Sequence, residues 1–510
     1  MEKDPSPQEI NVLVALFAEG RLQEAAALAQ TMTVRFPLHG FVWMVLGVVL
    51  SNMGLNADAL PPLQMAAALS PDDARTHSNL GNTLNSLGLL DEAEASCRRA
   101  LSLNPNFAEA HSNLGNTLKI LGRLSEAETS YRRALEIKPD FVVAHYNLGN
   151  TLKDQGRLGE AETSYRRALS LNPNFAEAYS NLGNTLKDQG RLGEAETSYR
   201  RALQIQPDYA ETHSNLGNTL KDLGRLDEAE ASYRRALSLN PDFADVYGNL
   251  GGVLKDQDKH DEALACFQQQ VRLEPGNLIA LHQIASLTGN NTERAPIQYV
   301  ESVFDGYADK FDIHLQQVLK YEAPEKLVAL VNKHLMPTSE KWNVLDLGCG
   351  TGLVGVTIAP FARHLVGVDL SAKMLKKAHA RNLYKRLEHL DLLTMMMSEK
   401  ASSYDAIVAA DVFIYIGKLE EIISEIKRLI APGGIFAFSV ESPDSLSIEA
   451  ATQGSHQEYQ LRNTGRYSHS IEYITRLASA NGFLIQEMVA TQLRMESNKY
   501  VNGYLVIWKG

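Results

Sequence analysis

The sequence predicts a chain in two parts, an all-α solenoid followed by an α/β domain. The second part should be built on a mostly parallel sheet with an antiparallel C-terminal edge strand. Three observations predict this. Prolines stand at 37, 71, 105, 139, 173, 207, 241 and 275, each 34 residues after the last. The words NLGN recur on the same beat, from Asn79 to Asn215, with NLGG at Asn249. From Pro296 the period stops, and short apolar runs alternate with helical patterns as in a doubly wound sheet.

Each 34-residue unit reads as two amphipathic helices. Asn-Leu-Gly lies on the first, Gly-Arg-Leu turns the chain, and Ala-Glu-x-x-Tyr-Arg-Arg-Ala lies on the second. Gly115 and Ala127 are small enough for the two helices to approach closely. Leu114 and Tyr131 fill the seam, and Pro139 ends the second helix because its ring cannot continue one. This pattern resembles the tetratricopeptide repeat over residues 6–277, as eight units. Within that family the wording is most similar to the superhelix of O-linked N-acetylglucosamine transferase. That resemblance implies a ladder of Asn79, Asn113, Asn147, Asn181, Asn215 and Asn249 along a concave groove, gripping the backbone of a protein or peptide. Asn82, Asn116, Asn150, Asn184 and Asn218 lie three residues on, hence on the same face. The plainer alternative makes these asparagines repeat consensus on a solvated surface. No glycosyltransferase domain follows.

The first two repeats differ from the rest. Ile10, Val14, Phe17, Phe41, Met44, Val45 and Val48 are apolar where later repeats carry Asn and Lys. An exposed patch there predicts self-association or a hydrophobic partner, and the alternative is cover by the N-terminal extension. Residues 278–287 have the spacing of one more first helix and should cap the stack. Residues 288–296 read as a polar hinge, so 278–295 form a cap and hinge and 296–510 the second domain.

Composition narrows the function. At 44% hydrophobic and 22% charged the chain is globular, and a net charge of −12 argues against general nucleic-acid binding. Cys97, Cys266 and Cys349 lack metal-ligand or disulfide-framework spacing, so no metal site is expected. The start MEKDPSPQE lacks the basic flank and apolar core of a secretion signal, and the apolar run 41–50 is too short to span a bilayer. A cytoplasmic protein without a membrane span is the expectation.

In the second part, strands are predicted at Val344–Leu347, Leu365–Val368, Leu387–Leu390, Ala406–Ala410 and Ile435–Val440. Leu484–Ala490 and Gly503–Trp508 lie too close together for a crossover helix and should pair antiparallel at the edge. The first strand leads into VLDLGCGTG, Val344–Gly352. Leu353 stands where a dinucleotide loop needs its third glycine. The spacing Asp346-x-Gly348-x-Gly350-x-Gly352 instead resembles motif I of the class I S-adenosylmethionine methyltransferases, whose core is Rossmann-like. This resemblance implies S-adenosyl-L-methionine as cofactor, with Asp346 facing its ammonium and Gly348, Cys349, Gly350 and Gly352 lining it. Asp369 with Leu370, ending the second strand, suits the ribose hydroxyls. Asp391, after the third, suits the adenine amine, with Leu392 near the ring. Each aspartate alone is more often a turn former than a ligand.

Further resemblances support the same family: LIAPGG at 429–434, ADVFIYIG at 410–417, FSVE at 438–441 and GRYSHS at 465–470. FDGYADKFD at 304–312 resembles a lid whose aromatics cover the cofactor; Tyr307 and Phe311 would share one helix face. Together these resemble bacterial methyltransferases that carry tetratricopeptide repeats. Asp411, Phe413 and Tyr415 after the fourth strand, and Glu441 after the fifth, are expected to line the donor and acceptor pocket. Tyr415, Glu441 and His469 are the candidate catalytic residues, with His469 as base or substrate contact; a capping or surface histidine is its alternative. The expected activity is a methyltransferase whose repeats recruit a protein or peptide. The other reading is a small-molecule methyltransferase in which the repeats serve assembly.

Overall fold

The repeats fold as the glycine and alanine beats require. Sixteen helices among the described residues, from α1 (Pro7–Ala18) to α16 (His260–Leu273), alternate as antiparallel pairs. A Cβ on Gly115 would lie 2.7 Å from the Tyr131 ring, and Gly149, Gly183 and Gly217 stand in the same relation to Tyr165, Tyr199 and Tyr233. Only a residue without a side chain lets the ring lie flat across the seam. The alanines of the beat, Ala127, Ala161 and Ala195 among them, are fully buried.

The computed structural model describes residues 4–308, 311–313, 315, 321–335, 341–443, 457–496 and 499–510. Contacts divide the chain into Met1–Pro241 and Asp242–Gly510. The eighth helix pair and the cap helix α17 (Leu278–Thr288) therefore group with the sheet domain. No helix among the described residues is long and apolar enough to cross a membrane.

In the first unit, Met44 and Val45 of the apolar N-terminal set are buried, Ile10, Phe17, Phe41 and Val48 are half-buried, and Val14 is exposed. Val12, Val34, Leu38 and Met65 are exposed as well.

In the second unit nine strands form one sheet: β1 (Trp342–Leu347), β2 (Ala362–Asp369), β3 (Arg386–His389), β4 (Tyr404–Ala409), β5 (Ile430–Glu441), β6 (Tyr459–Leu461), β7 (Tyr467–His469), β8 (Leu484–Glu496) and β9 (Lys499–Lys509). The order is β3-β2-β1-β4-β5-β7-β6, with β1 to β5 parallel. β9 runs antiparallel on β5 and β8 antiparallel on β9, as the close spacing of the two runs demands. The short pair β6–β7 was not expected; it falls on GRYSHS and the residues before it. Alternate residues of each strand face opposite cores. Leu345, Leu347, Ile407, Phe436 and Trp508 pack toward α24 (Glu420–Leu429) and α25 (Ile471–Ala480). Val344, Leu365, Val408 and Ile435 pack toward α20 (Ala323–His334) and α21 (Leu353–Ile358).

The predicted hinge is knitted into the sheet domain. Asn291 donates to the Tyr459 carbonyl and accepts from the Leu461 amide, at 2.9 and 2.7 Å. Ala295 N–H donates to the Tyr415 carbonyl at 2.9 Å, and Glu293 O accepts from Gly417 and Lys418. The lid is also rearranged. α18 (Ile297–Tyr307) ends before α19 (Phe311–Ile313), so Tyr307 and Phe311 sit on separate helices rather than one face; Asp309 and Lys310 lie outside the described residues.

Candidate functional site

The carboxyl end of β1 turns through Gly348, Gly350 and Gly352, with φ of 62°, 53° and 89°, a conformation side chains rarely adopt. Among the described residues a Cβ on Gly350 would meet only the Phe311 ring, at 3.9 Å, whereas one on Gly348 would meet Val412 at 2.7 Å and one on Gly352 Tyr384 at 3.1 Å, so the loop has room at Gly350 alone. Gly350 N–H donates to Asp369 Oδ2 at 2.9 Å, and Ser371 N–H donates to Oδ1 at 2.8 Å. Burial, partly offset by these two bonds, raises the Asp369 carboxyl above its ordinary range.

Asp346 lies beneath the loop, 1% exposed. Its Oδ2 accepts from the Tyr384 hydroxyl at 2.6 Å, whereas its Oδ1 is buried with no partner among the described residues. Burial pushes its carboxyl up to about 7; the Tyr384 bond lowers it and the Asp369 charge raises it. Cys349 is buried beside them, and burial holds its thiol well above the ordinary range, which leaves it protonated and unreactive.

Asp391 caps α23 (Leu392–Ser398): its Oδ1 accepts from Leu393 N–H at 3.1 Å, and Arg294 stands 3.6 Å from Oδ2. Leu392 is buried and Leu370 half-buried. The lid aromatics converge on the same edge of the sheet. Phe304, Tyr307 and Phe311 are edge to face, Phe311 lying 5.4 Å from Tyr307 and 6.0 Å from Phe304, and Phe304 lies 5.5 Å from Tyr415. Polar latches hold the lid. Ser371 Oγ donates to Asp305 at 2.5 Å, and Asp312 accepts from Thr351 Oγ1 and Arg381, both at 2.5 Å.

At the ends of β4 and β5 a second group forms. Asp411 holds φ 55°, and its Oδ2 accepts from Arg494 at 2.7 Å. Arg494 also donates to Glu441, which has Arg466 at 3.3 Å. Arg494 and Glu441 are 5% and 2% exposed. Among the described residues no group of three His, Cys, Asp or Glu could hold a metal ion.

A family model described as a methyltransferase domain matches residues 345–436, spanning β1 to β5 and this glycine loop. Tetratricopeptide models match 14–74, 74–107, 96–129, 115–156, 149–190, 174–242 and 214–277. The chain joins tetratricopeptide repeats to a methyltransferase domain. The domain is similar to a ubiquinone biosynthesis O-methyltransferase of Bordetella avium, 28% identical over 26% of this chain and 56% of that protein. It is also similar to a release factor glutamine methyltransferase of Fusobacterium nucleatum subsp. nucleatum, 23% identical over 39% of this chain and 57% of that protein. The chain thus spans about half the length of these relatives. The repeats are similar to the solved structure of YrrB, a TPR protein with an unusual peptide-binding site, at 24% identity and a TM-score of 0.33, covering 36% of this chain and 96% of that one.

Within the methyltransferase domain, the sequence-predicted residues fall into two groups. Asp346, the glycines, Asp369, Tyr307 and Phe311 gather at the carboxyl ends of β1 and β2. Asp411, Tyr415 and Glu441 gather at β4 and β5. His469 belongs to neither, and its expected role as base is corrected. It is fully buried, and its Nε2 lies 2.9 Å and 3.0 Å from the carbonyls of Ile416 and Gly417. Two acceptors require a proton on that nitrogen. The other nitrogen, Nδ1, is buried without a partner among the described residues, and burial pushes the ring down to about 4, so it is neutral and braces the turn at 413–417. Glu441 is paired with Arg494 and Arg466, and burial raises the Tyr415 phenol above its ordinary range.

Sequence reasoning missed Tyr384, Arg381 and Arg494. The only signal for Arg494 is a cation on the inward side of an apolar strand.

In the repeats, the first asparagines are half-buried and partly engaged. Asn147 and Asn181 donate to Asn116 and Asn150, each at 2.9 Å, and Asn113 donates to Ser78 Oγ at 3.1 Å. The second asparagines accept from the seam tyrosines at 2.7 Å.

Proposed function

We propose that the chain is an S-adenosyl-L-methionine-dependent methyltransferase whose repeats recruit a protein or peptide to be methylated. The observation that carries the cofactor reading is the buried Asp346 carboxylate, one oxygen of which has no partner among the described residues, beneath a glycine loop with room at Gly350. A carboxylate so placed fits an ammonium, because burial makes an unpaired charge costly and a cation relieves it. Asp369 retains acceptor capacity on both oxygens for ribose hydroxyls, since each carboxylate oxygen takes two bonds. Asp391 and Leu392 stand at the third strand for the adenine, and Phe311 and Tyr307 form the lid.

The cofactor, when bound, supplies an electrophilic methyl on a sulfonium. The chain's own residues then orient the reactants and exclude water. The lid latches Asp305–Ser371 and Asp312–Arg381 hold aromatic rings over the loop. Tyr415 and the Asp411–Arg494–Glu441 group stand on the acceptor side, with both carboxylates paired to Arg494. Alignment, rather than base catalysis, is the contribution this site makes.

Recruitment rests on the asparagine series. The side-chain amide of Asn147 donates to Asn116, and that of Asn181 to both Asn150 and the Tyr146 hydroxyl, which fixes each side chain's orientation and leaves the amide oxygen for a peptide N–H. The second reading, a small-molecule acceptor, is favoured by the relative that bears the name of a ubiquinone biosynthesis enzyme. Transfer of labelled methyl into a cell extract separates the two. Label in a protein, lost when Asn147, Asn181 and Asn215 are all replaced by Ala, supports recruitment. Label in small molecules, equal for both chains, supports the second reading, and no label in either sinks the enzyme.

A further inference from the structure

Tyr384 lies in the connection between α22 (Ala372–Ala380) and β3, outside any helix or strand. Its ring fills the space that three glycines leave. A Cβ on Gly352 would lie 3.1 Å from the ring and one on Gly367 2.8 Å from it, and one on Gly355 would collide with the hydroxyl. Wedged in this way, the phenol has one orientation, and its hydroxyl donates to Asp346 Oδ2. The remaining oxygen, Oδ1, is left buried and without a partner among the described residues. The titratable groups that face Asp346 are Tyr384, Asp369, Cys349 and Tyr321, none of them cationic. Among the described residues no arginine, lysine or histidine forms an ion pair with it.

We propose that Tyr384 is a positioning residue for the cofactor: by pinning Oδ2 of Asp346 it aims Oδ1 at the cofactor's ammonium. This rests on the adenosylmethionine reading above. The bond also has an electrostatic effect, because it favours the ionised carboxylate that burial and Asp369 oppose. Tyr384 therefore keeps Asp346 charged nearer neutral pH than its burial alone would allow.

The test is calorimetric titration of the full-length chain and of Tyr384→Phe between pH 6 and 9. Two ligands are compared: S-adenosylmethionine, and 5′-methylthioadenosine, which lacks the amino-acid end. Phenylalanine still fills the glycine-lined space. The variant should bind adenosylmethionine about tenfold more weakly at pH 7, the scale of one hydrogen bond to a charged group. Its affinity should recover toward pH 9, with a midpoint above that of the wild type, and methylthioadenosine should bind both chains alike. Equal weakening for both ligands, or an unmoved pH midpoint, overturns the proposal and leaves Tyr384 a packing residue. A wild-type chain that binds neither ligand overturns the cofactor reading itself. Should the phenylalanine variant fold poorly, Asp346→Asn makes the same comparison, with loss of the pH dependence and retained methylthioadenosine binding expected. Undiminished adenosylmethionine affinity in that variant overturns the proposal too.

Discussion

Replacing Arg494 by Met removes the guanidinium that joins Asp411 to Glu441 while keeping most of the side chain's apolar length. Arg494 is 5% exposed and Asp411 18%, so Asp411 is left largely buried without its cation, whereas Glu441 keeps Arg466 at 3.3 Å. Removing Arg494 should cost about 3 kcal/mol, the low end for a broken buried pair, because Arg466 still faces Glu441 and the charge left uncompensated is that of Asp411. With a urea dependence of about 1–3 kcal/mol per molar, the unfolding midpoint should fall by roughly 1–3 M. Trp342 and Trp508, both buried in the sheet, report this unfolding by fluorescence. Adding Asp411→Asn to the variant should recover most of the loss, since a neutral amide needs no counter-charge and Glu441 keeps Arg466. Adenosylmethionine affinity should stay within about twofold, as Asp346 and Asp369 sit on other strands. A midpoint shift below about 0.3 M for the single variant would refute the reasoning, for the group would then be a solvated surface cluster.

Three further predictions follow from the same geometry. Asp369→Ala should abolish calorimetric binding of adenosylmethionine while the melting temperature changes little; undiminished binding removes Asp369 from the cofactor site. Gly183→Ala should lower stability by about 1–3 kcal/mol, since the added carbon would lie within 2.6 Å of the Tyr199 ring, and an unchanged melting temperature would show the seam to be slack. For Asp346, whose folded-state carboxyl is raised to about 7, stabilisation is complete below the ordinary carboxylate range and is lost as pH rises through 7. The ammonium of adenosylmethionine should relieve that loss, so its stabilising shift in thermal melts should grow from pH 6 to pH 8; a flat profile contradicts the pairing.

The repeats were legible because their packing is local: a 34-residue beat places glycine opposite tyrosine whatever the rest of the chain does. The glycine loop was legible for a similar reason, since positive φ at three alternate residues restricts the residue type at each. Other features depend on contacts distant in sequence. His469 reads as a polar residue before a helix, yet β7 carries it beneath the turn at 413–417, where its ring meets two carbonyls. Arg494 is 83 residues from Asp411 and 53 from Glu441, and no local pattern links them. The i, i+4 spacing of Tyr307 and Phe311 predicts one helix face, but the rings meet edge to face from consecutive helices. The asparagine series was visible, whereas the bond from Asn147 to Asn116 joins residues 31 apart and required the stacked repeats.

The lid helix α18 joins two surroundings within the second unit. On one side Tyr299 packs against His282 of the cap helix at 4.7 Å, and His282 Nε2 lies 3.0 Å from the Gly465 carbonyl, where it donates. On the other, Phe304 packs against Tyr415 and Phe311, and Phe311 is the nearest group to the open face of Gly350. Gly465 admits this arrangement because a Cβ there would lie 2.6 Å from the Tyr299 hydroxyl, and its φ of 83° suits glycine. Tyr299 in turn lies 6.5 Å from Tyr415. A line of rings thus runs from the helix that follows the last repeat through Tyr299, Tyr415 and Phe304 to Phe311 beside the glycine loop. The cap helix thereby packs against α18. His282→Ala should loosen α18 and raise its amide exchange, and unchanged exchange there would show that the cap only covers the end of the eighth repeat.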